Sequence, residues 1–391
     1  MNILGERIIS VRFISSIRGF LMHLVHSNVQ DITFSYKKNS YEAPSGIHRM
    51  VSRVVRSKIG DHLGIIQVVK PDKNADVYAS FNRFVNTRNP YFIYLENPTA
   101  LYHYSLNRKN TILGKARIDK LLNKNSLKSI ICMSDSCKKG TEKLLNVENK
   151  NIQTIYPLVP ENSNVTPEKL KNRINNQKLK LLFITQGKRF VSKGGNEVID
   201  VMKKIQNNEN VSLTIITERS FIPKNLLNEI KAVSNIELLE FGYDYTEMQK
   251  IYASHDVLLH LTSDDSFCLT ILEAMKAGLP IISTDLYAIR EMVKNGYNGF
   301  LHQPKWLFFN DVVPNPDVWN YRKQTIYNTE IVDFKIVDFV LDKINLFLDD
   351  RNLLVKMSLN SFQMATNAPF SREYIENKWV AEMKKIYGGK L

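Results

Sequence analysis

Two clusters of side chains in this 391-residue chain have the types and spacing for chemistry. One is an acidic pair, Asp265 and Glu273, eight positions apart. The other is a basic turn with Lys188, Arg189 and Lys193 beside Gly187, Gly194 and Gly195. At the 1.5 Å rise of a helix the two carboxylates lie roughly 10 Å apart, so they can accept hydrogen bonds from hydroxyl groups on either side of a diphosphate. Glycines and cations at a strand end let the backbone approach that diphosphate and neutralise it. A sugar nucleotide has this layout. Alone, each cluster also reads as an ordinary solvated feature: a helix-face glutamate behind an aspartate cap, or a basic loop. That both ask for one ligand ties them together.

The elements needed to position these groups are legible on either side of them. DVLLHL (Asp256 to Leu261) is apolar and short, as a buried parallel strand is. After a polar turn, Leu269, Leu272, Ala274, Met275 and Ala277 fall at helical spacing, and Gly278 and Pro280 close the run. A helix from near Ser266 to Ala277 is expected, its unpaired N–H groups at Phe267 to Leu269 facing the strand ends, where anions bind. LPIIST then reads as a strand and AIREMVKNG as a helix ending at Gly296. Upstream, LKLLFIT reads as a strand running into Gly187, with a helix carrying Val198, Ile199, Met202 and Ile205 after the basic turn. Both are βα units.

The stretch SDDSFCLTILEAMKAGLP resembles the signature of retaining, family-four glycosyltransferases of the group 1 type. In that signature two acids separated by seven residues bracket a Phe-Gly-Leu-like turn, and Glu-Ala-Met-Ala-x-Gly-x-Pro follows. Asp265 stands where the family usually has Glu, and Cys268 replaces its Gly. Glu273, Phe267, Leu269, Ala274, Met275, Gly278, Pro280, Glu291, Gly296, Asn298, Gly299, Phe300 and Leu301 fall in step. The basic turn is similar to the family's Gly-Arg…Lys-Gly loop, with Lys188 in the Arg position and Arg189 beside it, so either can be the phosphate contact. The resemblance implies that Asp265 contacts the donor sugar and Glu273 the ribose. It places Gly187, Ser266, Phe267, Cys268, Leu269 and Thr270 around the donor. It gives Lys188 or Arg189, and Lys193, the charge developing on the leaving diphosphate. No metal or other cofactor is then expected, because cations fill that role and Asp264-Asp265 is not a spaced Asp-x-Asp. Glu96, after the strand YFIYLE, takes a slot where the family commonly has His; it can bind an acceptor hydroxyl or remove its proton, or simply end a strand. His103 is a weaker candidate.

The implied fold class is α/β, two Rossmann-like domains facing a cleft (GT-B fold). Residues 1–160 are expected to form an acceptor-binding domain, 161–178 a polar linker, and 179–365 the nucleotide-sugar domain with an insertion at 304–333. Residues 366–391 are expected as a helix crossing back to the first domain. Strands are expected at ERIISV, DITFSY, GIIQVV, DVYASF and YFIYLE, and helices at SSIRGFLMHLV and over Ser45 to Ile59. Trp306, Phe308, Phe309 and Trp319 in the insertion suit a local core or a docking surface.

A length of 391 residues suits two domains. Three cysteines, Cys132, Cys137 and Cys268, lack metal-ligand spacing and fit a reducing compartment. Met1 to Ser10 is too polar for a secretory signal, and no window reaches about 18 apolar residues, so a cytoplasmic protein is expected. The net charge of +14 points to an anionic partner. No nucleic-acid-binding module is present in the sequence. The helix over Ser45 to Ile59, with His48, Arg49, Arg53, Arg56 and Lys58 opposite an apolar stripe, suits either solvent or the anionic inner face of a membrane. The expected partners are therefore a nucleotide sugar, a saccharide acceptor that can be lipid-linked, and an anionic membrane surface, without nucleic acid. An epimerase of the same fold and a non-catalytic basic binder are the alternatives.

Overall fold

The computed structural model describes residues 8–388 apart from 16, 18, 38–53 and 56. The chain divides into two compact units: residues 1–158 with 372–391, and residues 159–371.

In the first unit, strands β1 (Ile9–Phe13), β2 (Ile32–Tyr36), β3 (Val77–Phe81), β4 (Tyr91–Leu95), β5 (Leu127–Cys132) and β6 (Asn151–Thr154) form one sheet. Its order is β2-β1-β3-β4-β5-β6 and every pairing is parallel. All residues of β3 and β4 are buried, as apolar strands covered on both faces must be. Part of that cover is the helix Arg372–Tyr387, whose Trp379 ring centroid lies 5.9, 5.6 and 5.5 Å from those of Phe34, Phe92 and Tyr94. The Asn151 side-chain amide donates to Glu382 Oε1 at 2.6 Å on the same helix. GIIQVV contributes only the two-residue strand Val68–Val69, paired with Phe84–Val85 outside the main sheet. Gly64, at φ +57°, turns the chain at its start. Most of the helix expected over Ser45 to Ile59, including His48, Arg49, Arg53 and Arg56, lies outside the described residues; Lys58 and Ile59 open the short helix Lys58–His62.

In the second unit, β7 (Leu179–Ile184), β8 (Val211–Thr217), β9 (Ile236–Glu240), β10 (Val257–His260), β11 (Ile281–Thr284) and β12 (Gly299–His302) form a parallel sheet in the order β9-β8-β7-β10-β11-β12. Strand order reverses between β7 and β10, the place where open α/β sheets part their loops and bind ligands. Leu181, Phe183, Leu213 and Leu259 from the strands pack with Val198, Met202, Val340 and Ile344 from covering helices.

The polar stretch 161–178 is packed on the second unit, not a free tether. Thr166 caps the helix Pro167–Lys171, and Leu170 is buried against Gly278, where an added Cβ would lie 2.6 Å from Leu170 Cδ1. Arg173 donates to the carbonyls of Gly278 at 2.6 Å and Ala277 at 3.2 Å, so a cation satisfies the C-terminal end of a helix. Leu170 and Arg173, with Asn162 and Asn176 bonded to Gln249 O and Asp256, dock a segment whose composition reads as solvent-exposed. The helix expected in AIREMVKNG is a single turn, Ile289–Met292. The Asn298 side chain ends it by accepting from Lys294 N at 2.7 Å and donating to Met292 O at 3.0 Å. Within 304–333, Phe308 stacks on Trp319 at 4.3 Å between centroids and Phe309 on Tyr287 at 4.2 Å. These aromatics form a local core.

Candidate functional site

The basic turn is shaped by what it must press against. After β7 the chain makes two short 3₁₀ turns, Gly187–Arg189 and Val191–Lys193. It then reaches Gly194 at φ +89°, where an added Cβ would stand 2.4 Å from Leu261 Cβ. Only glycine allows both that conformation and that approach. Across the switch point the chain leaves β10 through Thr262 and Ser263, and Ser263 N–H donates to Ser192 O at 2.9 Å, fastening one loop to the other. The second turn differs from expectation. The helix begins at Leu269, not near Ser266, because Cys268 adopts φ +68° and breaks the helical run. Ser266, Phe267 and Cys268 therefore belong to the turn, while Thr270 and Glu273 lie on the helix Leu269–Lys276. A left-handed residue at the family's glycine position explains that glycine, and costs a non-glycine residue roughly 1–2 kcal/mol.

The two loops bring Arg189, Lys193, Asp264 and Asp265 together. Lys193 Nζ donates to Asp264 O at 2.9 Å and pairs with the Asp265 carboxylate. Arg189 Nη2 donates to Asp264 Oδ2 at 2.9 Å, and Tyr327 Oη donates to the same oxygen at 2.8 Å. Burial alone would raise the Asp265 carboxyl, but Lys193 and His260 hold it well below the usual carboxylate range. His260 Nε2 lies 3.4 Å from Asp265 Oδ2, and burial lowers its imidazole. Lys188 takes another direction, its ammonium 4.5 Å from the Phe221 ring centroid. Of the two cations read as alternatives, Arg189 joins the carboxylate cluster and Lys188 does not. Gly187 N–H donates to Glu218 Oε2 at 3.0 Å.

Glu273 accepts a hydrogen bond from Tyr252 Oη at 2.8 Å; burial pushes its carboxyl up, and that bond partly offsets the push. Among the described residues, His260, Asp265 and Cys268 place a nitrogen, an oxygen and a sulfur within 4.8 Å of one another, a donor set for a soft divalent ion. The Lys193 ammonium already sits on the Asp265 oxygen, and burial raises the Cys268 thiol, so the residues favour the internal cation over a metal.

Glu96 stands in the first unit, directly after β4. Its N–H is held by Asn82 Oδ1 at 3.1 Å and its carboxylate accepts from Tyr104 Oη. His103 and Tyr104 are successive left-handed residues, at φ +60° and +59°, and His103 Nε2 accepts from Gln67 N–H at 2.9 Å. Consecutive non-glycine residues in that region store strain of the kind found where a side chain must be aimed. Asp264, His260, Tyr252 and Tyr327 are contributors that sequence spacing does not single out. Tyr327 is 63 positions from Asp264, and only tertiary structure joins them.

Comparison with known proteins agrees with this geometry. Residues 166–307 match the model of the family described as Glycosyl transferases group 1. N-acetyl-alpha-D-glucosaminyl L-malate synthase of Bacillus anthracis is 26% identical over 157 residues, covering 39% of this chain and 40% of that protein. The GtfA subunit of a UDP-N-acetylglucosamine–peptide N-acetylglucosaminyltransferase from Streptococcus gordonii is 27% identical over 36% of this chain and 23% of its own length. The matches to these two curated relatives thus span less than half of each relative. Among solved structures, Anabaena HepE in complex with UDP and glucose superposes with a TM-score of 0.62 at 14% identity, over 96% of this chain and 99% of that one. WaaG, a glycosyltransferase involved in lipopolysaccharide biosynthesis, does so at 0.60 and 14%, over 97% and 100%. These likenesses establish the GT-B fold.

Proposed function

We propose that this chain, whose second unit carries a glycosyl transferases group 1 domain, moves a sugar from a nucleoside diphosphate sugar to an acceptor hydroxyl with retention of anomeric configuration. The observation that carries the reading is the Arg189–Asp264 and Lys193–Asp265 cluster at the reversal point of the second sheet. Cations fixed by carboxylates, Lys193 buried and Arg189 partly exposed, are preorganised, so they stabilise charge as it develops on the departing diphosphate without reorganising. In the reaction the bond from the anomeric carbon to the diphosphate oxygen breaks and a bond to the acceptor oxygen forms. Asp265 orients the sugar and Glu273 the ribose. The acceptor proton passes to the leaving phosphate, and Glu96 of the first unit is read as a carboxylate that binds an acceptor hydroxyl. Lys193 and Arg189 do the work a divalent ion does in metal-dependent transferases.

The acceptor proposed is a lipid-linked saccharide of a surface polysaccharide, and the surface of the first unit supports it. Ile59, Leu63, Ile112 and Leu113 are exposed, Ile112 by 88%. They come from helices that abut: Thr111 Oγ1 donates to Asp61 O at 3.0 Å, and a Cβ at Gly64 would meet the Leu113 backbone at 2.6 Å. Lys58 and Lys115, both exposed, flank them. Exposed aliphatics rimmed by lysines match the boundary of an anionic bilayer. No helix among the described residues is long and apolar enough to cross a membrane.

A panel of nucleoside diphosphate sugars, read by acceptor-dependent release of the nucleoside diphosphate, tests the activity. Release with one donor and product of retained configuration is expected; binding with no acceptor-dependent product would overturn it. Sedimentation with anionic vesicles tests the surface. Ile112→Ser with Leu113→Ser should weaken association roughly tenfold, and unchanged sedimentation would remove the membrane from the reading.

A further inference from the structure

The 304–333 insertion is tied to the acidic turn through one residue and to the helix that follows the basic turn through three others. At one end, Tyr327 Oη donates to Asp264 Oδ2 at 2.8 Å, the oxygen that also accepts from Arg189. At the other, Asn196 Nδ2 donates to Thr329 O at 3.1 Å and Ile331 O at 2.9 Å, and Glu197 Oε1 accepts from Asp333 N–H at 2.9 Å. Asn196 and Glu197 lie in the first turn of the helix that follows Lys193. The insertion has its own stacked core in Phe308 and Trp319, so it is a fixed platform for these contacts.

We propose that Tyr327 is a positioning residue for diphosphate binding, which rests on the reading of the Arg189/Lys193 cluster given above. A carboxylate held by one arginine can turn with it, because the arginine side chain has many rotamers. A second donor from the opposite side fixes the Asp264 carboxylate, and the fixed carboxylate holds the guanidinium in one direction. The same residue's carbonyl receives Lys193 Nζ, so immobilising Asp264 aims both cations. Through this linkage the insertion tunes affinity for the phosphates.

Tyr327→Phe removes one oxygen and keeps the ring. In the ligand-free protein, amide hydrogen exchange over 187–195 should rise severalfold while that of the helix Arg351–Thr366 is unchanged. Of UDP, GDP, ADP and CDP, the one the native protein binds tightest should bind the variant roughly five- to twentyfold more weakly, with the matching nucleoside within about twofold. Asp264→Asn should cost less affinity when added to Tyr327→Phe than it does alone, because the two changes weaken one linkage. Unchanged exchange, equal losses for nucleoside and diphosphate, or fully additive effects would each overturn the proposal. Faster exchange in a protein that binds none of the four diphosphates would overturn the diphosphate reading and leave Tyr327 as a brace of the loop.

Discussion

Both units are built on a parallel sheet of six strands, yet what stands at their strand ends differs in kind. The second unit gathers two cations and two carboxylates, Arg189, Lys193, Asp264 and Asp265, where its strand order reverses. The first unit sets a carboxylate, Glu96, among the neutral hydrogen-bonding groups of Asn82 and Tyr104. In the proposed reaction the charged cluster meets the diphosphate and Glu96 an acceptor hydroxyl. The comparison teaches that a shared architecture supplies the place and the loop residues supply the chemistry.

The sharpest way to break this contrast is Lys193→Met. Loss of a buried cation paired to a carboxylate should weaken nucleoside diphosphate binding on the order of a hundredfold while sparing the nucleoside, read by calorimetry with both. Equal losses would mean a damaged unit. Next, Asp265→Asn and Glu273→Gln should each lower transfer efficiency roughly ten- to hundredfold in chains that still fold; near-native turnover in both would remove them from the site. Glu96→Gln probes the other side of the contrast. It should cut the rate of transfer about tenfold or more and leave diphosphate affinity alone, so a loss of affinity would contradict the division of labour. Arg189→Ala against Lys188→Ala sharpens the donor side: about tenfold weaker diphosphate binding for the first and less than about threefold for the second, since Lys188 rests on Phe221. A larger effect at Lys188 would reverse their roles.

The smallest effect concerns pH. Burial pushes the Glu197 carboxyl up to about 7. The folded chain therefore holds a proton that the unfolded chain releases near 4.5, and the stability this group contributes is complete below that pH and lost as pH rises towards 7. Glu197→Gln should flatten the fall in stability by at most about 1.4 kcal/mol per pH unit in that window, measured by denaturant unfolding at several pH values. Parallel profiles for variant and native protein would show that Glu197 is ionised when folded.

How much of this was legible follows from how far apart in sequence the cooperating residues lie. The strand at Val257 to His260, the helix after it, Gly194 and the acidic pair are local patterns, and local spacing exposes them. The α/β class also follows, because apolar strands alternating with amphipathic helices leave few other architectures, whereas the GT-B arrangement was implied by the resemblance of the signature. The choice between Lys188 and Arg189 was not legible, since adjacent residues in a 3₁₀ turn point apart and only packing decides which way. The start of the helix at Leu269 was misplaced because a left-handed residue is foreseen at glycine and rarely at cysteine. The segment 161–178 hid its docking in Leu170 and Arg173, and Tyr327 belongs to the site through contacts that no sequence period encodes.

Trp379 closes the aromatic core of the first unit from the far end of the chain. A ribosome that has finished residue 158 has therefore made a sheet without its lid, and the intervening 159–371 must emerge before the helix Arg372–Tyr387 arrives. At roughly 5–20 residues per second that interval is on the order of ten to fifty seconds. During it Phe34, Phe92 and Tyr94 lack their indole partner and are open to chaperones or to other nascent chains. The second unit, continuous in sequence, carries no such delay. The protein is thus a vectorial assembly in which the half that begins synthesis first matures last.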